Sequence, residues 1–484
     1  MPNPEALASR RFWLSAAAMI AVFATMASST IINVAIPRII DQFGATPFQV
    51  QFVLTGFLAA MTVSMPTIGW LTGRWGIRNV LVVALLLFIV FSILAAAAPT
   101  LTVLIAARFA QGAVVGIVQP VALFALYLAF PPERRGTAVS LHAVAVALAP
   151  TIGPWFGGLV VEAFGWRYIF LLAVPIALFA TVAVGVLIPS GHDGERQDHQ
   201  FDLAGCLWLA SALGLLFYGA SEAAMGGAMP AISLVALAGG GLCSVLFVRR
   251  ELTTEHPMVD LRLMASPAFS ASCAIGFLIG AGLYGSTFLV PLFAQTVQGF
   301  SPADSGLILL PAGLVLLAVS LLAGGLANRI ALAPLLATGI LIFALSNLLF
   351  AMMDSTTGLI ALAACLALGR VGVGLTIPTA NLAALQSQSD VDAAQAAGIS
   401  SFMRHFGAVA GIFGLSLLVG SKTADRSAHS ISAAMAEGMQ MAFLAAAALL
   451  FAGLGAVWLY WRSVDGGPPD PSGHHRHCHH PEEL

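Results

Sequence analysis

The stretch GWLTGRWGIRNVL at residues 69–81 returns as GGLANRIALAPLL at residues 324–336. Gly69, Leu71, Arg74 and Leu81 match Gly324, Leu326, Arg329 and Leu336 at one constant offset, and Phe88 with Phe343 continues the register. VAIPRIIDQFGATP, ending at Pro47, pairs in the same way with FLVPLFAQTVQGFSP, ending at Pro302, and the Gly116-to-Pro120 spacing recurs from Gly374 to Pro378. A repeat on this scale means that one architectural unit was built twice, and that the segment between the copies is an insert.

The unit is a bundle of membrane helices. Of 484 residues, 59% are hydrophobic and only 9% charged, against about 25% charged in an average soluble domain. That excludes a water-exposed globular surface, and the apolar content excludes disorder. Fourteen apolar runs are long enough to cross about 30 Å of hydrocarbon, the first at 12–37, the second and third at 48–71 and 79–98, and the last at 439–461. The first is too long for a signal-peptide core and has no clear cleavage site. The expected fold is therefore an all-α polytopic membrane protein. An N-terminal six-helix bundle occupies 1–188, linkers with two inserted transmembrane helices 189–268, a C-terminal six-helix bundle 269–461, and a disordered His-rich tail 462–484.

The basic residues set the expected orientation. With the amino terminus in the cytoplasm, thirteen of the 20 fall on that side and four, Arg38, Arg167, Lys422 and Arg426, on the other. Both termini then lie in the cytoplasm. The remaining three, Arg108, Arg370 and Arg404, fall inside helices. A guanidinium there costs roughly 2.5–3.5 kcal/mol on insertion scales, so it should face a protein interior or a watery cavity. Two roles are open to Arg108: holding backbone carbonyls, or lining a cavity where it stabilises protonation states or anionic groups. Gln111 lies one turn along the same face. Arg370 and Arg404 divide between the same two roles. His142 titrates near neutral pH when unperturbed; Asn33, Tyr284, Gln295 and Asn381 are further polar groups in apolar runs. In APTIGPWFGG, Ala149 to Gly158, the prolines Pro150 and Pro154 remove backbone donors, while Gly153, Gly157 and Gly158 permit close helix approach. That pattern suits a helix interface that moves.

Five motifs taken together resemble the major facilitator superfamily, and in particular its fourteen-helix drug:proton antiporter branch, the EmrB/QacA-like efflux pumps. STIINVAIP (Ser29 to Pro37) is similar to the branch's first-helix motif and GWLTGRWGIR, with Gly69, Arg74, Gly76 and Arg78, to its cytoplasmic loop motif. RFAQGAVVG (Arg108 to Gly116) resembles the fourth-helix arginine motif, APTIGPWFGG the fifth-helix antiporter motif, and GWRYIFLLAVP (Gly165 to Pro175) the start of helix six. Two departures stand out: Ser28 occupies a place where the branch usually carries an aspartate, and the loop motif's aspartate is Gly73 in the first half and Asn328 in the second. The first removes the carboxylate usually associated with proton or cation handling.

The resemblance implies a secondary exporter of hydrophobic small molecules in the cell membrane, driven by protons, with a periplasmic adaptor as a partner in a double-membraned cell. Its substrate and coupling cavity would draw on Ser28, Asn33, Arg108, Gln111, His142, Tyr284, Gln295, Arg370, Asn381 and Arg404. Export of one metabolite, uptake, or a transport-inactive scaffold or sensor are the alternatives. The sequence has no nucleophile–base pair and no phosphate-binding loop, so neither an enzyme nor ATP drive is expected. No cofactor, resident metal or nucleic-acid partner is expected either; the run HHRHCHH at 474–480 lacks fixed ligand spacing, and the five cysteines suggest no disulfide framework. With three intramembrane arginines and no carboxylate at comparable depth, the cavity should disfavour dications and prefer neutral or weakly acidic lipophiles.

Overall fold

A computed structural model of the chain describes residues 4–45, 47–188, 201–225, 231–255, 257–300, 302–354, 357–389, 392–423 and 431–464. The polar linker 189–200 and the His-rich run at 474–480 lie outside the described residues. Fifteen α-helices follow one another in the described residues: α1 (Pro4–Ile31), α2 (Ile36–Phe43), α3 (Pro47–Ser64), α4 (Ile68–Ala96), α5 (Leu101–Ala129), α6 (Arg135–Phe164), α7 (Tyr168–Leu187), α8 (Leu203–Met225), α9 (Ala231–Thr253), α10 (Pro267–Thr296), α11 (Pro302–Ala327), α12 (Leu332–Ala351), α13 (Leu359–Gln386), α14 (Ala393–Thr423) and α15 (Ile431–Val464).

Local chemistry sets several helix ends. Thr100 caps α5 by accepting the N–H of Val103, Asp202 caps α8 by accepting that of Gly205, and Ser266 precedes Pro267 at the start of α10. The first expected crossing, 12–37, is not one continuous α-helix. It tightens into a 3-10 turn over Ile32–Ala35 because Pro37, in the first turn of α2, has no N–H to give back. Helix α2 stops at Gly44, whose φ of 58° is left-handed.

Thirteen helical stretches among the described residues are long and apolar enough to cross a bilayer, and one of them, Phe52–Ala96, has 45 residues. Drawn out straight it would measure about 67 Å, roughly twice the hydrocarbon thickness. The stretch breaks at Gly76, where φ is 75° and ψ 156°, a conformation that a side chain strains. It supplies two crossings, which gives the expected fourteen. The loop motif is thus helical up to the turn that its own glycine makes.

The helices sort into two sets and a pair. Helices α1 and α3 to α7 pack among themselves, α10 to α15 do likewise, and α8 with α9 forms a hairpin that touches α3 and α14. Because consecutive crossings alternate in direction, the links after α3, α5, α9, α11 and α13 lie on one side. That side carries Arg74, Arg134, Arg249, Arg250 and Arg329, and is called here the basic face. The repeat reappears in the contacts between sets. A Cβ on Gly69 would meet Gln395 in the first turn of α14, and one on Gly324 would meet Gly136 and Ser140 in the first turns of α6. Each copy of the motif therefore sits on the opening of a helix from the other set.

The apolar core has an unequal distribution. One cluster fills the first set and, toward the basic face, runs on into the second: Phe57, Leu81 and Val139 belong to it, and so do Phe269, Leu385 and Ile399 from the second set and Met258 and Val259 from the link between. Toward the opposite face the second set has a core of its own, around Phe293, Leu362 and Phe443. Among the described residues, the core that the two sets share lies toward the basic face.

Candidate functional site

Arg108 on α5 is completely buried. Its Nη1 donates to Gln111 Oε1 at 2.6 Å and to Ser28 Oγ at 3.1 Å, and its Nε to the carbonyl of Val53 at 3.4 Å. Gln111 in turn donates to Ser92 Oγ at 2.7 Å. The Phe57 ring lies 4.0 Å from the guanidinium carbon, a cation–π distance. One side chain thereby joins α1, α3, α4 and α5. Sequence reasoning leaves Arg108 open between packing and cavity roles, and the geometry favours the first: only Nη2 lacks a partner. Ser28 is the acceptor on the guanidinium at the place where an aspartate would form an ion pair.

A second polar group lies where the two sets meet. Gln119 on α5 is fully buried with neither amide atom partnered. Its carbonyl pairs with His142 Nε2 on α6 at 3.0 Å. Arg404 on α14 is within electrostatic reach of His142, and donates to Asn381 Oδ1 on α13 at 3.0 Å. Tyr284 on α10, half-buried, is in electrostatic reach of both Arg404 and Arg370, and its ring lies 6.3 Å from that of His405. Arg370 donates to Thr287 Oγ1 at 2.6 Å. Tyr284, Arg370, Asn381 and Arg404 thus lie on the packed helices α10, α13 and α14 of the second set, His142 lies on α6, which packs against α13, and Ser28, Arg108 and Gln111 form a separate group in the first set.

Two expected residues do not join them. Gln295 is exposed near the end of α10, where an amide needs no cavity. Asn33 lies in the 3-10 turn Ile32–Ala35, and its side chain is outside the described residues. Gln119, His405, Ser92 and Thr287 are additions. Gln119 was detectable by the criterion that selected Gln111, an amide inside an apolar run. Ser92 and Thr287 were not, because small hydroxyls commonly satisfy themselves on their own helix, as Thr287 does on the carbonyl of Leu283.

The glycines of the APTIGPWFGG stretch pack α6 against α1. A Cβ on Gly153 would meet Thr30 and Ile31, and one on Gly157 would press on Ile31; Gly158 has only Val34 at 4.0 Å. Thr30 also reaches the carbonyl of Ala149, at 3.4 Å. This approach lies within the first set, so any movement it permits is of α6 against α1. Across the sets α6 instead meets α11, where Asn328 Oδ1 accepts the N–H of Gly136 and a Cβ on Gly313 would strike Thr151.

Two hollows lie apart from the polar cluster, and none of its residues lines them. One of about 290 Å³ is a fissure among α10, α14 and α15, lined by Leu278, Gly282, Gly411, Gly414, Leu415 and Leu449. The other, about 510 Å³, runs along the outer side of α9 from Ser244 to Thr253. Both are almost wholly apolar and suit hydrocarbon, whereas the cluster between the sets is built for a polar group.

Comparison with known proteins agrees with this architecture. The sequence profile described as Major Facilitator Superfamily matches residues 18–412. The chain is 31% identical over 324 residues to "Uncharacterized MFS-type transporter YhcA" of Bacillus subtilis, covering 67% of this chain and 60% of that protein. It is 32% identical over 337 residues to "Multidrug export protein EmrB" of Haemophilus influenzae, covering 69% of this chain and 65% of that one. In both cases the chain spans less than two thirds of the relative's length. Among solved structures, the proton:xylose symporter XylE superposes with a TM-score of 0.67 at 14% identity, over 94% of this chain and 96% of that one.

Proposed function

We propose that this chain, which belongs to the major facilitator superfamily, is a multidrug exporter that moves hydrophobic small molecules across the membrane by alternating access, coupled to protons. The observation that carries this reading is the polar cluster Gln119–His142–Arg404–Tyr284–Arg370, buried where two repeated helix sets meet. Substrate sites of such folds form at the repeat interface near the midplane, and rocking of one repeat against the other exposes them in turn. The shared core at the basic face corresponds to a state closed on that side. The relatives named for multidrug export support the substrate class.

In this reading residues 1–188 and 269–461 are the rocking halves and 189–268 carries the inserted pair. The basic face is cytoplasmic, with both termini there, and the protein lies in the cytoplasmic membrane. A periplasmic adaptor would extend the path in a double-membraned cell. Gly69, Arg74, Gly76 and Arg78 serve the cytoplasmic hinge, and the α6 stretch Pro150, Gly153, Pro154, Gly157 and Gly158 serves gating through α1. No enzymatic step is assigned.

The test is reconstitution. Purified protein in liposomes should move a lipophilic fluorophore against its gradient when a pH gradient is imposed, and expression in a pump-deficient host should lower drug accumulation. A second reading, a transport-inactive scaffold, draws on Ser28 and on the bonded state of Arg108. Failure of transport in both assays, with folded protein present, would establish it.

A further inference from the structure

Arg108 and Arg370 each leave one guanidinium nitrogen without a partner, and around Arg404 it is the neighbouring groups that do. Arg370 uses Nη2 on Thr287 and leaves Nη1 without a partner. Arg404 takes the Oδ1 of Asn381, whose Nδ2 then has no acceptor. His405 Nε2, His142 Nδ1 and both amide atoms of Gln119 are unpartnered too. Every one of these side chains is at least nine-tenths buried: Arg370 is 5% exposed, Arg404 6%, Asn381 4%, His405 3%, His142 1% and Gln119 0%. An unsatisfied buried polar atom is costly, and such atoms normally have a protein, water or ligand partner. Here they lie on α5, α6, α13 and α14, helices that pack on one another where the two sets meet.

Two positive charges there have no negative partner. Among the described residues the ion pair found is Arg250–Asp202, at the end of α9. Among the described residues the carboxylates of Asp and Glu lie in links or near helix ends, and Arg370 and Arg404 bond to Thr287 and Asn381 instead. Tyr284 lies between them: Thr287, which Arg370 holds, is one turn along α10, and the Tyr284 ring is 6.3 Å from that of His405, the neighbour of Arg404. A buried charge without a counter-charge is costly, and a guanidinium fork is shaped to take a carboxylate. An apolar wall begins at Phe277, seven residues from Tyr284 and on the same face of α10. Phe402 and Phe406 are stacked at 5.8 Å, Phe277 lies against Phe406 at 5.8 Å, and Phe402 and Phe406 pack on the core that the first set shares.

We propose that Arg370 and Arg404, with Tyr284 and Asn381, bind the carboxylate of a lipophilic organic acid, whose apolar body lies on the Phe277–Phe402–Phe406 wall. The inference rests on the exporter reading for its biological sense but not for its test. Gln119 and His142 face the site from the other half, so an acid bound there supplies the negative charge that the closed arrangement lacks.

Equilibrium binding to purified protein in nanodiscs decides it without any need for transport. The probes are 1-pyrenebutyrate, its neutral amide, and a pyrenebutyl-trimethylammonium of matched length. The acid should bind about tenfold or more tightly than the amide, and the ammonium weakest of the three. Arg370→Gln and Arg404→Gln should each lower acid affinity about tenfold and leave amide affinity and melting temperature within twofold and a few degrees. Chloride and benzoate serve as competitors: benzoate should displace the probe at lower concentration than chloride. Equal binding of acid and amide by the unmodified chain, preference for the ammonium, or displacement by chloride as effective as by benzoate would overturn the proposal, whatever the variants do. Acid affinity unchanged in both folded variants would overturn it as well. Selective acid binding without export in liposomes would keep the site and refute the exporter reading instead.

Discussion

Asn328 Oδ1 accepts the main-chain N–H of Gly136 at 2.9 Å, so a side chain of the second half's repeat motif closes the first turn of a first-half helix. Its Nδ2 donates to Thr137 Oγ1 at 2.8 Å. The matching position of the first half is Gly73, which has no side chain to offer in return, so the polar latch at the basic face is one-sided. Asn328→Ala removes two hydrogen bonds of about 1 kcal/mol each and should shift the equilibrium roughly thirtyfold toward opening there. Alkylation of a cysteine placed at Ser140 reads the shift. Asn328→Asp keeps an acceptor at the positive end of α6 and should slow the same alkylation; equal rates in all three chains would dismiss the latch.

Arg108→Ala should abolish transport and also lower the melting temperature. It strands Ser28, Gln111 and the Val53 carbonyl in a dry interior, at a cost of about 1–3 kcal/mol for each group left unsatisfied. Arg108→Lys keeps the charge but loses the planar fork, and should recover less than half of the stability. An unchanged melting temperature in the alanine variant would show that the observed hydrogen bonds contribute nothing.

Gly157 and Gly158 are neighbours with opposite tolerances. Gly157→Leu must displace Ile31, whereas a methyl at Gly158 meets only Val34 at van der Waals distance. Transport by Gly158→Ala should stay within twofold of the unmodified protein, while Gly157→Leu should lose about tenfold or more with substrate binding retained. Loss of binding with intact conformational exchange would contradict the role of the α6–α1 contact in gating.

Ser28→Asp restores a carboxylate to a site where the native hydroxyl lies 3.1 Å from the Arg108 guanidinium. The new charge should pair with Arg108, cancel its field, and raise export of a cationic lipophile relative to a matched acid. The ratio of initial rates in liposomes measures this. A ratio that stays fixed would mean that Arg108 does not contribute to charge selection.

Topology admits a direct check. A reporter fused at Gly226, in the link between α8 and α9, should report the side opposite the basic face, because the basic residues favour that face thirteen to four as the cytoplasmic one. A cytoplasmic signal would invert the orientation.

Much of the fold was legible because hydrophobic runs and a repeat are long-range patterns that need no side-chain detail. The repeat GWLTGRWGIR/GGLANRIALA even marked the residues that cross between halves, Gly69 and Gly324. The site was only partly legible. A buried arginine is conspicuous in an apolar run, but whether it is satisfied depends on Ser28, Ser92 and Val53, three residues on other helices that have no distinctive sequence spacing. Composition alone treats Arg108, Arg370 and Arg404 alike; their bonding partners place Arg108 in one group within the first set and Arg370 and Arg404 in the second. The tightening at Ile32–Ala35 follows from Pro37, yet periodicity over 12–37 hides it.

The core at the basic face is completed by residues far apart in the order of synthesis. Ile68, Leu81 and Val139 are made early, Met258, Val259 and Phe269 come later, and Leu385 and Ile399 arrive near the end. While the chain is still emerging from the ribosome, the first six helices therefore hold an incomplete apolar surface that nothing yet translated can cover. Lipid or an insertion chaperone must shield it until α14 docks. Truncation before Ala393 should on this account leave a membrane-inserted but protease-sensitive product, so that biogenesis of the two halves is coupled even though each repeats the other's design.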